Sequence, residues 1–457
     1  MKKIFAIALL LGSTCFLTAQ VLEVEQTDHI ETPKDWKERF FELTHEERGA
    51  LFADPDVDPK DIAKLIQERR SDLDTPVKSQ QGGDVIFGCQ LWYDHDQLNV
   101  NTLNDSNWEL FSGGCGAGQG VDAYWGQVSI DFDFCLLGQT FSHFYINSKG
   151  TLSFQEPICD WTPDPFPAAT YNQVAGFWAD FDFTVSGLCF WEITSEAAIV
   201  SFVEVGYWPG QGGLRNTMQM VITDGNSPIL PDGYNVGLFY GDMNWAHGGV
   251  GGAAGCCGPN PAIVGIDLAN NTDGIQIGQF NYLDDTYPGP NEDAGVNWLD
   301  NKTFFMMACD DNGDAPENHP PIPTNNNAAF NGEWPTIACD TIRVCLQDTA
   351  QFNASYLGPE GDQTITIDVD LSNAAAVETI LSTNGQEAIY EAIIIGSVAN
   401  IGIHEIVITA TDNGAPVESV TQTFVIEVID QEAPVISVSS PGTICSGQYA
   451  ELSVTPD

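Results

Sequence analysis

Short runs in which apolar and polar positions alternate dominate this chain from residue 84 onward. Ile130-Asp-Phe-Asp-Phe134, Ile199-Val-Ser-Phe-Val-Glu-Val205 and Met218-Gln-Met-Val-Ile222 carry the period of two, or the β-branched content, of strands. Gly and Pro interrupt such runs about every ten residues, the spacing of an all-β sandwich or barrel-like domain. Residues 84–310 are enough to bury a core of their own. A second set of alternating runs predicts one β-sandwich over 337–430: Thr364-Ile-Thr-Ile-Asp-Val-Asp370, His404-Glu-Ile-Val-Ile-Thr-Ala-Thr411 and Phe424-Val-Ile-Glu-Val428. The Pro/Asn-rich stretch 311–336 reads as a linker between the two.

The pattern changes to a helical period over residues 20–80. Thr32, Pro33 and Asp35 form a helix start that sets Trp36, Phe40 and Leu43 on one face. Thr44 with Glu47 fits a capping box, and Asp58-Pro59 opens a third helix carrying Ile62, Leu65 and Ile66. This segment is either an N-terminal extension or a removable pro-segment, and Ser79-Gln-Gln-Gly-Gly83 links it to the β region. The expected fold class is mainly β with a short α-helical N-terminal segment.

Residues 1–19 read as a signal peptide: Lys2 and Lys3, the apolar run Ile4–Leu11, then Leu17-Thr-Ala19 before a cut. No later stretch is long and apolar enough to span a bilayer as a helix. Cysteine usage agrees with export. Besides Cys15, the chain holds Cys89, Cys115, Cys135, Cys159, Cys189, Cys256, Cys257, Cys309, Cys339, Cys345 and Cys445. The first ten of these are disulfide candidates in an oxidising compartment, and no Cys-x-x-Cys or His-x-x-x-His spacing favours zinc. The neighbours Cys256 and Cys257 are expected to pair with different partners, because a ring between adjacent residues is strained. Residues 435–457 read as the start of a further module, truncated, whose presence implies a longer parent chain and leaves Cys445 without its partner.

The formal net charge is −49 at pH 7. Eleven of the fifteen Lys and Arg residues precede residue 81; beyond it stand Lys149, Arg215, Lys302 and Arg343, against 48 Asp and Glu. Such a surface repels nucleic acid and anionic lipid, which makes both poor partners. It favours solubility and attracts divalent cations.

Four segments carry a family signature. They are Phe144-Tyr-Ile-Asn147-Ser-Lys-Gly150-Thr-Leu-Ser-Phe154, Val174-Ala-Gly-Phe-Trp178-Ala-Asp180-Phe-Asp182, Asn216-Thr-Met-Gln-Met-Val-Ile-Thr-Asp224-Gly225 and Tyr234-Asn-Val-Gly-Leu-Phe-Tyr240-Gly-Asp242-Met-Asn-Trp245. In that order they resemble the NIDO domain, the extracellular module of nidogen, alpha-tectorin and some large mucins. With Val200–Trp208 and Ala262–Asp267 the resemblance covers roughly 125–280. It implies a secreted or cell-surface protein associated with matrix adhesion and no catalytic role. The run Ala410-Thr-Asp412-Asn-Gly414-Ala-Pro416, followed by Val428-Ile-Asp430-Gln-Glu-Ala-Pro434, resembles a cadherin-like Ig-type repeat. It departs from cadherins in having Gln431-Glu432 where the calcium-linker motif has Asn-Asp. Repeat style points to a bacterial surface protein, with an Ig-like or PKD-like module beginning near Pro441.

Calcium is the one cofactor the acidic motifs suggest, and each motif has an ordinary structural reading beside it. Asp180 and Asp182 share one face of a strand, as do Asp131 and Asp133, so each pair either binds a cation or forms a solvated acidic face. Asp310, Asn312 and Asp314 follow the rhythm of a calcium loop, but Ala315 replaces its Gly and Pro321 its final Glu. Asp412 and Asp430 form a third candidate. Candidate ligand-binding groups are Tyr207, Trp208, Tyr240, Asp242 and Trp245, in or beside Gly-rich loops. The expectation is a non-catalytic adhesion protein whose NIDO-like domain meets an extracellular protein or glycan, held out on Ig-like spacer repeats. The alternative is a glycan-binding or glycan-processing protein using Asp180, Asp182 and Asp242 in one acidic, aromatic-lined groove.

Overall fold

The structure is a computed structural model. It describes residues 123–432 apart from 184, 228, 231–232, 249–254, 311, 331–332, 337–340, 347–348, 361–362, 372–376 and 385, together with 36–39, 57, 99–101 and 109–110. The expected signal peptide, most of the 20–80 segment and the module expected from 435 lie outside the described residues. Within 20–80, Trp36–Arg39 forms a short helix with Trp36 buried.

The chain is mainly β. Its first domain packs two antiparallel-rich sheets face to face. One runs in the order Asn99–Asn101, Leu188–Ile193, Ala197–Tyr207, Gln211–Thr223, Val236–Met243, Thr303–Met306, with Phe181–Asp182 pairing Ala197–Tyr207 off that path. The other runs Asp293–Gly295, Asp273–Tyr282, Ala262–Leu268, Gln173–Trp178, Thr151–Ser153, Gln139–Asn147, Ala123–Leu136, Glu109–Leu110. Alternation explains the edges of this arrangement. In Ala123–Leu136, Ile130, Phe132 and Phe134 enter the core while Asp131 and Asp133 stay exposed. The central strand Ala197–Tyr207 is buried along its whole length. Val200, Phe202 and Val205 face the main core, and Ala197 and Ile199 join a second cluster with Leu230, Tyr234 and Phe305. A strand covered on both faces has no reason to alternate.

The second domain is a β-sandwich with its own core around Phe352, Tyr390, Ile408 and Phe424. One sheet orders Glu333–Thr336, Ile322–Phe330, Thr349–Leu357, Glu387–Ile395, Val377–Asn384; the other orders Thr341–Leu346, Ser419–Glu432, Gly402–Thr411, Thr366–Asp370. Thr341–Leu346 pairs in parallel with Ser419–Glu432. The stretch 311–336 is therefore not wholly a linker: Ile322–Phe330 and Glu333–Thr336 are strands of this sandwich, and Ile322–Phe330 lies antiparallel to Thr349–Leu357. A run of Asn between prolines hides its strand character because its pairing partner, not its own pattern, supplies the order.

The two domains share a buried polar lock. Lys302 Nζ, from the first, lies 2.7 Å from Glu387 Oε1 of the second. Trp298 Nε1 donates to Glu387 Oε2 at 2.9 Å, and Thr324 Oγ1 donates to Glu387 Oε1 at 2.7 Å. The Lys302 ammonium also stands 4.4 Å from the centre of the Trp298 ring. Ile322 and Leu357 of the second domain extend the apolar core of the first. Burial pushes the Glu387 carboxyl up, but the Lys302 charge and the three donors outweigh it and hold the carboxyl below its ordinary value.

Since the folded value is depressed, this contribution is fully present above the unfolded carboxylate value of about 4.3 and is lost as pH falls through the folded value. Glu387→Ala leaves a buried ammonium unpaired, and urea unfolding at pH 7 is expected to show a loss of about 3–5 kcal/mol. Lys302→Met combined with Glu387→Met removes both charges and is expected to lose less than either alone.

Candidate functional site

A buried polar network of the first domain lies beside the point, between Trp178 and Phe181, where the chain crosses from one sheet to the other. Asn147 ends the strand Gln139–Asn147 and closes the turn Asn147–Gly150. Its Nδ2 reaches Thr151 O at 3.2 Å and Ser153 Oγ at 3.0 Å, and its Oδ1 accepts from Ile158 N at 2.8 Å. Gly150 has φ +76°, and a Cβ there would sit 2.2 Å from Phe177 O, so only glycine closes this turn. The turn projects Lys149 inward, where its ammonium meets Asp180 Oδ1 at 2.6 Å. Both side chains are buried. Backbone bonds from Ala179 N to Lys149 O, and from Trp208 N to Asp180 O, tie this pair to both sheets.

Asp180 forms part of the wall of a small solvent-open cleft with room for about one water, shared with Trp161, Ala179, His247, Gly248 and Asn260. Gly248 packs directly on Asp180, since a Cβ there would lie 2.5 Å from Asp180 Cβ. His247 is only 3% exposed, and neither ring nitrogen has a hydrogen-bond partner. Burial lowers its imidazole below the ordinary value, although the Gly248 backbone, outside hydrogen-bond geometry, pulls the other way. Gly258 backs the ring: a Cβ there would fall 2.0 Å from Nε2. That backing segment is held by Asn281, whose O accepts from Cys257 N and whose Oδ1 accepts from Gly258 N, each at 2.8 Å.

The expected acidic faces divide. Asp131 and Asp133 are solvated, as the alternation implies, whereas Asp180 and Asp182 are both buried. Asp180 faces Lys149, and Asp182 Oδ2 accepts from Gly210 N at 2.8 Å. Asp310 Oδ1 accepts from Asn312 N and Asp314 N, each at 2.9 Å, so this carboxylate caps its own loop. Those backbone donors, with the Asn312 amide, hold the Asp310 carboxyl below its ordinary value. Asp412 Oδ2 accepts from Asn318 Nδ2 at 2.8 Å, and its Oδ1 accepts from Gly414 N and Glu418 N. It does not meet Asp430: Asp412 follows Thr411, paired with Ser419, while Asp430 lies two residues beyond Val428, paired with Gly402 at the other end of the ladder. Among the described residues no three His, Cys, Asp or Glu side chains converge as a metal site.

Among the ligand-binding candidates, Tyr207, Tyr240 and Trp245 are core residues. Tyr240 OH donates to Gly176 O at 2.5 Å and Trp245 Nε1 to Val205 O at 3.0 Å, so each polar tip is satisfied inside. Trp208 is 40% exposed and Asp242 is exposed. Sequence reasoning missed Lys149, Trp161, His247 and Asn260. Lys149 had a signal, as one of four cations after residue 80 and the centre of the Asn147–Gly150 block.

The cysteines also divide. Cys135 pairs with Cys309, and Cys159 is disulfide-bonded. Cys256 and Cys257 bond to each other, contrary to the expectation of separate partners. The backbone there accommodates the ring with Gly255 at φ +84° and Cys257 at φ 61°. Cys189 is a free thiol in the core, its acidity suppressed by burial, and Cys345 is free. Cys89, Cys115 and Cys339 lie outside the described residues.

The NIDO-related family model matches residues 105–206, which overlaps the first half of the region whose motifs resemble that family. No curated protein matches the chain. Among solved structures, the chain is similar at 21% identity to a nucleoside hydrolase-related hypothetical protein from Saccharophagus degradans, over 24% of this chain and 26% of that one, with a TM-score of 0.17. It is similar at 15% identity to mouse clustered PcdhgC3 EC1-3, over 38% of this chain and 56% of that one, with a TM-score of 0.17. The corresponding values for human CDH23 EC21-23 are 13%, 34%, 56% and 0.16. The chain thus spans about a quarter to about half of these three structures.

Asp180→Ala strands the Lys149 ammonium in the core and is expected to cost about 3–5 kcal/mol in urea unfolding. Asp131→Ala, on the solvated face, is expected to change stability by less than about 0.5 kcal/mol in the same measurement.

Proposed function

We propose that this chain is a non-catalytic adhesion protein of the cell exterior, in which the NIDO-related β domain binds an extracellular protein or glycan and the following sandwich is its spacer. The observation that carries this reading is the NIDO-related match over 105–206, within which Trp161, Ala179 and Asp180 form part of the wall of a small open cleft. The cleft lies in the first domain, and the Lys302–Glu387 lock supports a fixed rather than swivelling presentation of it. The signal-peptide reading, the paired cysteines and the acidic surface agree with an exported chain. No helix among the described residues is long and apolar enough to cross a membrane.

The glycan-processing alternative needs two carboxylates facing each other across a groove. Asp180 is engaged with a buried ammonium, and Asp182 is fully buried on Gly210 N, which favours binding over hydrolysis. Calcium stays with this proposal as a ligand of the acidic surface, to be sought by calorimetric titration of the metal-stripped chain.

Surface plasmon resonance of the full chain over immobilised laminin, collagen IV, fibronectin and mucin tests the reading. Saturable binding to at least one of them is expected, with no release of nitrophenol from nitrophenyl glycosides. Absence of binding to all four, or glycoside hydrolysis abolished by Asp180→Asn, contradicts it.

A further inference from the structure

The second domain gathers its exposed apolar side chains at one end. Among its described residues five large ones are exposed: Ile395, Val398, Ile401, Ile403 and Val417. Four of them fall within residues 395–403, with Val398 at 78% and Ile403 at 70% exposure. Single apolar residues scattered over a surface are ordinary, but a concentration of this kind marks a face that another body covers. The stretch is also held in one shape. It leaves the strand Glu387–Ile395, makes the short 3-10 helix Val398–Asn400 and enters the strand Gly402–Thr411. Buried Asn400 staples it. Its Nδ2 donates to Ile395 O, its Oδ1 accepts from Ser397 N and its O meets His404 Nε2, each at 2.7 Å. Gly396 packs on Cys345 O so closely that a Cβ there would overlap it. The apolar groups are therefore preorganised for contact.

The path of the chain narrows what that body is, because this end is the one by which the chain leaves the domain. Gly402 pairs with Val428, and residues 429–432 continue past it beside the first strand of the same sheet, Ile429 opposite Cys345 and Glu432 opposite Leu346. Next in sequence is Ala433-Pro-Val-Ile-Ser-Val438, outside the described residues, with Val435, Ile436 and Val438 large and apolar. Three to six residues of chain span at most about 10–20 Å, which reaches the exposed stretch but not the far end of a strand about 30 Å long. A second copy of the chain suits this face less well, since each copy carries a net charge of −49 and the face is uncharged. A cation bridge suits it less well too, because Gln431 and Glu432 stand where the calcium-linker motif has Asn-Asp. The opposite end of the domain already has a dry joint, where Ile322 and Leu357 enter the apolar core of the first domain.

We propose that the apolar end formed by Ile395, Val398, Ile401 and Ile403 is the seat of the segment that follows in the chain, residues 433–438, whose Val435, Ile436 and Val438 cover it. The junction beyond the second domain is then an apolar joint that needs no cation. With the Lys302–Glu387 lock at the other end, it makes the second domain a rigid relay between its two neighbours. The proposal does not depend on what the first domain binds.

The test is amide hydrogen exchange read by mass spectrometry on the full chain, with and without EDTA. In the wild type, peptides covering 433–438 are expected to exchange about tenfold or more slowly than an unstructured chain of the same sequence, in either condition. Val398→Asp and Ile403→Asp are each expected to bring them to within about threefold of the unstructured rate. Both positions are exposed, and unchanged protection over 406–410 reports that the domain still folds. Val417→Asp, beside the other end of the same strand ladder, is expected to leave 433–438 as in the wild type. Unstructured exchange of 433–438 in the wild type, or wild-type protection in both variants, overturns the proposal. Protection that disappears with EDTA assigns the junction to a cation and overturns it. A concentration-dependent dimer in sedimentation that Val398→Asp abolishes assigns the face to a second copy and also overturns it.

Discussion

The rest of the structure depends on what this chain does with its few positive charges. After residue 80 it has four cations. Lys149, Arg215 and Lys302 are all buried against carboxylates: Asp180 at 2.6 Å, Glu204 at 3.6 Å and Glu387 at 2.7 Å. Each stands at a place where the fold changes direction. Lys149–Asp180 holds the crossing between the sheets of the first domain. Arg215 lies in the irregular stretch of pairing between Gln211 and Asn216. Lys302–Glu387 joins the two domains. A buried ammonium without its partner is far more costly than an exposed one, so these positions tolerate little change. With three cations inside, the solvent-facing surface is left strongly acidic.

The blocks that carry the family resemblance prove to be the joints of this construction. Asn147 and Gly150 form the turn that buries Lys149. Asn216 Nδ2 donates to Trp245 O at 2.8 Å, and its Oδ1 accepts from Asn244 N and Trp245 N. Trp245 then packs edge-on against Phe177 and Phe181. Residues that look like binding groups in the sequence are therefore tied to one another. What faces solvent is the wall they hold up: Trp161, Asn260 and the rim beside Trp208.

Much of the fold was legible in the residues. Alternation read the solvated strand around Asp131 and Asp133 correctly, and both β regions were found. It misread Asp180–Phe183, because a strand covered on both faces buries acids and aromatics alike, and period two carries no information there. The linker reading of 311–336 failed where Ile322–Phe330 takes its order from pairing. The site was less legible. Tyr207 and Tyr240 stand beside glycines, yet Gly206 serves close packing, since a Cβ there would lie 2.3 Å from Gln211 O. His247 and Asn260 gain meaning only from tertiary placement. The pairing of Cys256 with Cys257 goes with left-handed backbone at Gly255 and at Cys257 itself.

The central claim is that Lys149–Asp180 organises both the sheet crossing and the cleft. Amide hydrogen exchange on Lys149→Met, compared with wild type, tests it most directly. Loss of protection is expected together at Phe177–Asp182, at Trp208 and around Ala246–Gly248, with the second domain unchanged. A change confined to the turn 147–151 would contradict the account, because the cleft would then stand without the pair.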